Sequence, residues 1–499
     1  FFSTALRAGR DRQSSTMSKA PNGALPEFAM LIDGTLTKSE EKFGVINPSS
    51  GEVFAHAPHA TQAQVDEAVA AAKKAFRSWQ AVPLSERKLA MAKVKEAYDQ
   101  HRDELADLLV REQGKPLASA KGEVAGAAGL MKKAIELTVP PEVYSDTATR
   151  RIEVVRKPIG VVAAITPWNF PIFCSVAKFA PAIVLGNTVV WKPSPFTPLT
   201  ALRMGEILQS ALPPGVLNVV TGDDKQRFNV GAHLTSHAGV SKVSFTGSVP
   251  TGKKIMSACS SDVKRVTLEM GGNDAAIVRK DVDVKAMAPK VFSGAFNNSG
   301  QICCAVKRCF VHEDIFDEFK DELVRCAEKA TFGDGFEVGV EYGPLNNKMQ
   351  LDKVSALVED ARAQGCEVLC GGGRREGSRG FFYEPTIVSN IKEGVRLFDE
   401  EQFGPVMPIT PYKSDEEAVA RANDSEYGLG GSVWTSDFAT GNALASKLLA
   451  GTVWVNQHTD LTEAPFGGFK QSGLGREFGS FNVASFTEVQ TLSLAKQDV

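Results

Sequence analysis

The chain has 499 residues, 43% of them hydrophobic and 23% charged, and 56 Lys+Arg against 59 Asp+Glu leave a formal charge of -3. At roughly 100 to 200 residues per domain this length predicts two to four domains with cores that need no disulfide or metal staple. The composition excludes a disordered chain and gives no support to a nucleic-acid or polyanion binder.

The first twenty residues hold Arg7, Arg10, Arg12 and Lys19 against one acid, Asp11. That bias suits a transit peptide, and Met17 as an internal start suits a translated leader equally well. The expected location is the cytoplasm, with the mitochondrial matrix as the alternative. NPSSG at 47–51 is a turn signal. TQAQ at 61–64 reads as a capping box opening a helix in which Val65, Val69, Ala72, Phe76 and Trp79 recur at helical spacing. A second helix is expected over about 85–112, ending near Gly114. Both precede any strand alternation and are expected to cover the unit that follows.

From residue 151, strand and helix alternate: strand 161–166, helix 173–184, strand 188–192, helix 199–211, strand 216–220, helix 228–236, strand 241–245, helix 249–258, strand 264–268. Continuously apolar strands in such a series predict a parallel sheet covered on both faces, with its ligand beyond the C-terminal strand ends. The longest apolar stretch, 176–191, is interrupted by Lys178, Pro181, Gly186 and Asn187, so no membrane span is expected. After 274–278 the pattern restarts, with helices near 284–300, 314–330, 348–364, 414–424 and 438–449 and strands at 309–311, 367–371 and 452–456. These predict a second α/β domain. The stretch 371–380 reads as a polar surface loop. The last strand, 488–495, has no later element to cover it and with 152–155 is expected to form an arm that pairs with another subunit, although burial within its own chain would also account for it.

Cys303 stands in FNNSGQICC, where two Asn, Ser, Gly and Gln make a poor core wall and a good pocket edge for a reachable thiolate. The remaining cysteines of the eight read as small buried hydrophobes in a reducing compartment, Cys304 as the packing neighbour. Glu269 ends a strand in VTLEMGGND, where desolvation would raise its pKa as a general base requires; a helix cap or an Arg partner explains such a Glu equally well. Asn169, pinned between Pro167 and Pro171, offers a rigid amide to an oxyanion, or an Asx turn to its own loop. No GxGxxG follows the first strand; TGSVPTG instead puts Gly247 and Ser248 at a helix N-terminus, a weak phosphate signal. Lys192 ends another strand and suits a ribose hydroxyl or phosphate. No metal-like cluster of His, Cys and Asp is evident in the sequence, the seven His are dispersed, and a Cys–His hydrolase would have to draw His233, His237 or His458 from afar.

These residues resemble the aldehyde dehydrogenase superfamily over about 30–495, through distant motifs in the family's order: TPWNFP at Thr166, KPSPFTP at Lys192, FTGS at Phe245, LEMGGND at Leu268, NSGQICC at Asn298, EEQFGPV at Glu400 and PFGGFKQSGLGRE at Pro465. The resemblance implies two α/β domains with open, mostly parallel sheets plus a small β oligomerisation arm. The dinucleotide-binding domain would span 20–144 and 157–268, the catalytic domain 269–482, and the arm 145–156 and 483–499, with 1–19 a leader or disordered segment. It further implies an NAD(P)-dependent, non-acylating enzyme with Cys303 as nucleophile, Glu269 as general base and Asn169, with a backbone N–H at Cys303, as oxyanion donor. Ile165, Trp168, Lys192, Gly247, Ser248, Glu401 and Phe403 match the cofactor shell. Phe170, Ile302, Cys304, Asp460 and Phe466 match the pocket of a small-molecule aldehyde, and a homodimer or homotetramer is implied, with no metal.

One departure bears on cofactor choice. Many NAD-preferring relatives carry Glu three residues after the matched Lys192, and Pro195 stands here, so NAD is expected with shallow discrimination against NADP. The expected substrates are aliphatic or aromatic aldehydes, with a specialised betaine-aldehyde or semialdehyde enzyme as the alternative; Glu463 near the pocket would disfavour a carboxylate-bearing aldehyde. A structural or binding protein on the same fold would have lost Cys303, Glu269, Lys192 or Glu401, and all four are present.

Overall fold

A computed structural model describes residues 27–458 and 464–496. Five parallel strands form the centre of an eight-stranded sheet in the spatial order Leu217–Val219, Thr188–Lys192, Val161–Ile165, Lys242–Thr246, Arg265–Glu269. The order therefore reverses between Val161–Ile165 and Lys242–Thr246, the kind of switch point beside which α/β sheets bind ligands. Met30–Ile32 and Thr35–Thr37 extend one edge, and Gly473–Leu474 closes the other antiparallel to Arg265–Glu269. That last pairing returns the chain from the second half of the molecule to the end of Glu269.

The second sheet has seven strands in the order Glu367–Cys370, Thr386–Ser389, Val406–Tyr412, Val306–His312, Asp274–Val278, Gly430–Trp434, Thr452–Val455, parallel except at the first. Thr487–Ala495 pairs antiparallel along the whole of Arg150–Pro158, which also carries Glu142–Asp146, forming a separate three-stranded sheet. Among the described residues no helix is long and apolar enough to cross a membrane.

The covering layer differs from the sequence reading at several points. The helix Gln62–Trp79 begins at the expected capping box, Thr61 Oγ1 accepting from Gln64 N while Gln64 Oε1 accepts from Thr61 N. The helix expected over 85–112 is two, Leu84–Asp99 and Arg102–Gln113. His101 breaks them with non-helical backbone, and the acids Asp103 and Glu104 open the new first turn, where the helix dipole favours them. Gly114 ends the second in the left-handed conformation. A third helix, Leu117–Glu136, is built on AGAAG, whose small residues carry too little apolar periodicity to announce it. Strands also precede all these helices, contrary to expectation: Lys42–Asn47 and Glu52–Pro58 form a hairpin on the NPSSG turn. Two acids of this layer reach the first turns of helices that follow strands of the main sheet. Glu112 accepts from Leu199 N and Thr200 N at the start of Leu199–Leu208, and Glu123 does the same for Pro171–Val184.

Candidate active site

The loop that turns back over Cys303 is built by residue type. Helix Val284–Phe296 stops short of the expected 300, and Asn298, Ser299 and Gly300 follow in left-handed conformation with φ of 51°, 55° and 72°. Each non-glycine there costs about 1–2 kcal/mol. Side chains offset it: Gln301 Nε2 donates to Asn298 O at 2.8 Å, its Oε1 accepts from Asn346 N at 2.8 Å, and Ser299 Oγ donates to Gly343 O at 2.7 Å. At Gly300 a Cβ would lie 2.2 Å from Gly404 O, so no other residue fits. The turn delivers Cys303 half-buried at the edge of a cluster of Cys304, Leu429 and Trp454, with Ile302 and Phe466 packed on it.

Behind Cys303 lies Lys307, which no motif marks. It is buried, and its ammonium donates to Cys303 O at 2.5 Å and Ile302 O at 2.9 Å. The Cys303 thiol is held below its ordinary value, first by its hydrogen bond with Cys304 and then by Lys307, against the upward pull of burial. Cys304 is pushed well up by the same bond. Asn169 approaches from the first sheet: it is buried, and its Nδ2 donates to Gln301 O at 2.9 Å, leaving one N–H of the amide unspent on that bond.

Glu269 ends its strand 4% exposed with neither carboxylate oxygen hydrogen-bonded among the described residues. Desolvation raises its pKa well above the carboxylate range, with Glu477 adding to the rise. Neither a helix cap nor a salt bridge accounts for it. Glu477, at the end of the PFGGFKQSGLGRE motif, was not singled out by sequence. It accepts from buried Lys178 at 2.6 Å and Ser244 Oγ at 3.1 Å beside Glu269.

The residues matched to a cofactor line the strand ends. Ile165 pairs with Lys192 on one side and Phe245 on the other. Among the described residues Lys192 is buried with only weak partners, Pro193 O at 3.4 Å and Asp224 Oδ1 at 3.8 Å. A buried ammonium so sparsely satisfied fits a polyhydroxy ligand. Asp224 is therefore a carboxylate beside Lys192 that sequence spacing could not show. Gly247 N donates to Glu269 O, while Ser248 caps helix Val249–Cys259 through Thr251 N, and Pro250 has no N–H to give. Across the cleft Glu401 Oε1 accepts from Gly272 N at 3.1 Å and lies 3.5 Å from Lys307 Nζ. Phe403, strained at φ 52°, sets its ring against Trp168 edge-on at 5.3 Å.

Of the pocket residues, Phe170 is half-buried, Cys304 is fully packed behind Cys303, and Phe466 stands 6.3 Å from Phe478, which in turn faces Phe173. Asp460 and Glu463 lie outside the described residues. Arg308 turns away, bonded to the carbonyls of Asn273, Arg421 and Ala422. His458 places Nε2 2.9 Å from Cys304 O, and burial lowers its pKa to about 3, which disqualifies it as a base for Cys303. The histidines are not all dispersed in space: His233 and His237 meet Asp66 at 2.6 and 3.4 Å. His237 Nδ1 accepts from Gly239 N, which puts that ring's proton on the Nε2 facing Asp66, so hydrogen bonding accounts for the cluster.

Residues 36–492 match the model of the aldehyde dehydrogenase family. The chain is 38% identical to phenylacetaldehyde dehydrogenase of Pseudomonas fluorescens, over 96% of this chain and all of that protein. It is 40% identical to aldehyde dehydrogenase 1A1 of Rattus norvegicus, covering 91% and 92% of the two chains. Among solved structures, betaine aldehyde dehydrogenase of Staphylococcus aureus in complex with NAD+ superposes with a TM-score of 0.90 at 32% identity, covering 94% of each chain. An aldehyde dehydrogenase of Bacillus cereus gives 0.92 at 35%, covering 95% and 97%.

Limited labelling with iodoacetamide, read by peptide mass spectrometry, should modify Cys303 before every other thiol, with a pH midpoint below that of an ordinary cysteine. First labelling at Cys304 or Cys174 would contradict the electrostatic account.

Proposed function

The chain belongs to the aldehyde dehydrogenase family, and from that premise we propose that it oxidises an aldehyde to the carboxylic acid with reduction of NAD, through a covalent intermediate on Cys303. The observation that carries this reading is the conjunction of a reachable thiol of lowered pKa with a buried, unpartnered carboxylate of raised pKa. Such a pair divides nucleophile from base. Cys303 Sγ adds to the aldehyde carbon while the Asn169 amide and the Cys303 backbone N–H receive the developing oxyanion. NAD, when bound, would supply the hydride acceptor, and the residues that would hold it are Lys192 and Glu401 for ribose hydroxyls, Gly247 and Ser248 for phosphate, and Ile165, Trp168 and Phe403 for the rest of its surface. The thioester left on Cys303 is cleaved by water from which Glu269 takes a proton. The eight-stranded half, 20–144 with 157–268, is assigned to the dinucleotide, 269–482 to the chemistry, and 145–156 with 483–499 to assembly.

The rings of Phe170, Phe173, Phe466 and Phe478 favour aromatic and medium aliphatic aldehydes. Betaine aldehyde is the second reading, since aromatic faces also suit a quaternary ammonium. A semialdehyde finds no cation in Arg308, which is spent on carbonyls. Exposed Val143, Tyr144, Val489 and Leu494 on the three-stranded sheet support a homodimer or homotetramer. Eight free thiols fit a reducing compartment, the cytoplasm or, as the alternative, the mitochondrial matrix.

Cys303→Ala should keep the fold and lose nearly all dehydrogenase activity, whereas Cys304→Ala should keep at least about a tenth; equal losses would sink the assignment. Glu269→Gln should give a stoichiometric burst of reduced cofactor in rapid mixing, followed by almost no turnover. Because burial raises the Glu269 pKa, the base form grows as pH rises through that raised value, so hydrolysis of the thioester should accelerate with pH above the ordinary carboxylate range, and this limb should vanish in Glu269→Gln. Full turnover in that variant would contradict the base role. For the cofactor, Asp224 stands where it can accept ribose hydroxyls and repel an added phosphate, offsetting the carboxylate that Pro195 lacks. Asp224→Ala should raise kcat/KM for NADP about tenfold relative to NAD, about 1.4 kcal/mol; an unchanged ratio would place selectivity elsewhere.

A further inference from the structure

Beneath the Asn169 loop lies an ion pair that none of the chemistry above uses. Lys115, in the short connection after Gly114, and Glu123, on helix Leu117–Glu136, are 2% and 1% exposed and meet at 2.6 Å. Each of the three directions of the Lys115 ammonium is taken: Glu123 Oε2, the backbone oxygen of Asn169 at 2.9 Å, and the ring face of Phe170, 3.8 Å from its centroid. The other oxygen of Glu123 accepts from Ile172 N at 2.9 Å and Phe173 N at 3.2 Å. The pair thus grips four of five consecutive residues, 169, 170, 172 and 173, from below.

Burying two charges costs several kcal/mol per ion before they attract one another, and apolar residues of similar volume would often hold two helices together as well. What apolar residues could not do is fix a carbonyl and a ring together. Asn169 O also accepts from Asn298 Nδ2 at 3.2 Å, so it joins the first sheet to the nucleophile turn, and its side chain is the one that donates to Gln301 O. A charge-assisted bond to that carbonyl sets where the Asn169 Cα stands and hence where its remaining amide N–H points.

We propose that Lys115, held by Glu123, is a positioning residue for the reaction, fixing the Asn169 amide at the oxyanion and the Phe170 ring at the pocket wall. Lys115 acts through Asn169 and does not itself touch the reacting atoms. The inference rests on the reading of Asn169 as oxyanion donor. Its consequence is non-additivity in the hydride step: once the Asn169 amide is gone, Lys115 still holds the backbone at 169 and the Phe170 ring but has no oxyanion donor left to position.

The test is a double-mutant cycle on the full-length protein with NAD and an aromatic aldehyde, read as the rate constant of the first hydride burst. Asn169→Ala should slow the burst by about 10²–10³. Lys115→Met should slow it at least about tenfold when Asn169 is present and no more than about twofold in the Asn169→Ala background. The iodoacetamide rate at Cys303 should stay within about twofold on Lys115→Met in either background, since the Lys115 ammonium bonds to Glu123 and Asn169 O and, among the described residues, to no atom of the nucleophile turn. Equal factors in both backgrounds, or a matching fall in alkylation, would overturn the proposal and leave Lys115 as a structural anchor. If Lys115→Met does not fold, Glu123→Gln keeps an acceptor for Ile172 N and Phe173 N while removing the charge that holds Lys115, and the same cycle applies to it. No reduction of NAD by the unsubstituted protein, in the first turnover or later, would overturn the functional reading itself. A full burst in Asn169→Ala would overturn the oxyanion assignment while leaving aldehyde oxidation standing.

Discussion

There is no room for a methyl group where the two halves of the molecule meet. A Cβ on Gly271 would lie 2.1 Å from the Glu401 carboxylate, and one on Gly272 would lie 2.8 Å from the Cys303 carbonyl. In the loop that leads to the returning strand a Cβ on Gly467 would lie 2.6 Å from Glu269 Oε1. Real Cβ atoms do not approach so closely, and close packing transmits any shift to the neighbours. The Glu401 carboxylate, the Cys303 backbone and the Glu269 carboxylate each occupy space that a missing side chain provides. The positions of Glu401, Cys303 and Glu269 are thus set jointly, because each is wedged against a loop from another strand.

Charges around this seam fall into two kinds. Lys178 with Glu477, and Lys115 with Glu123, are buried and paired, and their attraction holds loops from distant parts of the sequence. Lys307 is buried against carbonyls and lowers the thiol in front of it. Glu269, Asp274 and Lys192 are of the second kind: among the described residues the two buried carboxylates accept no hydrogen bond and the buried ammonium has weak partners. A buried charge without compensation is costly to the fold. Under the proposed function Glu269 would act at the reacting centre and Lys192 at a ribose, where such a cost has a functional return.

Much of this was legible in the sequence. The β-α alternation from residue 161 carried the central parallel sheet nearly strand for strand, because buried parallel strands are continuous apolar runs. The TQAQ cap and the spare terminal strand were likewise local signals. The helix Leu117–Glu136 was hidden by its small residues, and Val406–Tyr412 by Pro408 and Pro411, which read as strand breakers although the strand lies inside the second sheet. At the site, residues inside motifs could be named. Lys115, Lys178, Lys307 and Asp224 could not, since a buried lysine is defined by partners far away in sequence: Lys178 and Glu477 are 299 residues apart. The left-handed turn at 298–300 was read as helix because the apolar spacing of the preceding helix was carried on to residue 300, although Asn, Ser and Gly favour such a turn.

The central claim is that this seam places one thiol and one carboxylate so that the first carries the acyl group and the second releases it. The most direct measurement is acid quenching of Glu269→Gln during its first turnover, followed by digestion and mass spectrometry of the peptide that contains residues 298–307. The account predicts an acyl mass on Cys303 in about one equivalent per chain, absent when NAD is omitted. An acyl group on Cys304 or Cys174, or no adduct alongside a full equivalent of reduced cofactor, would contradict it.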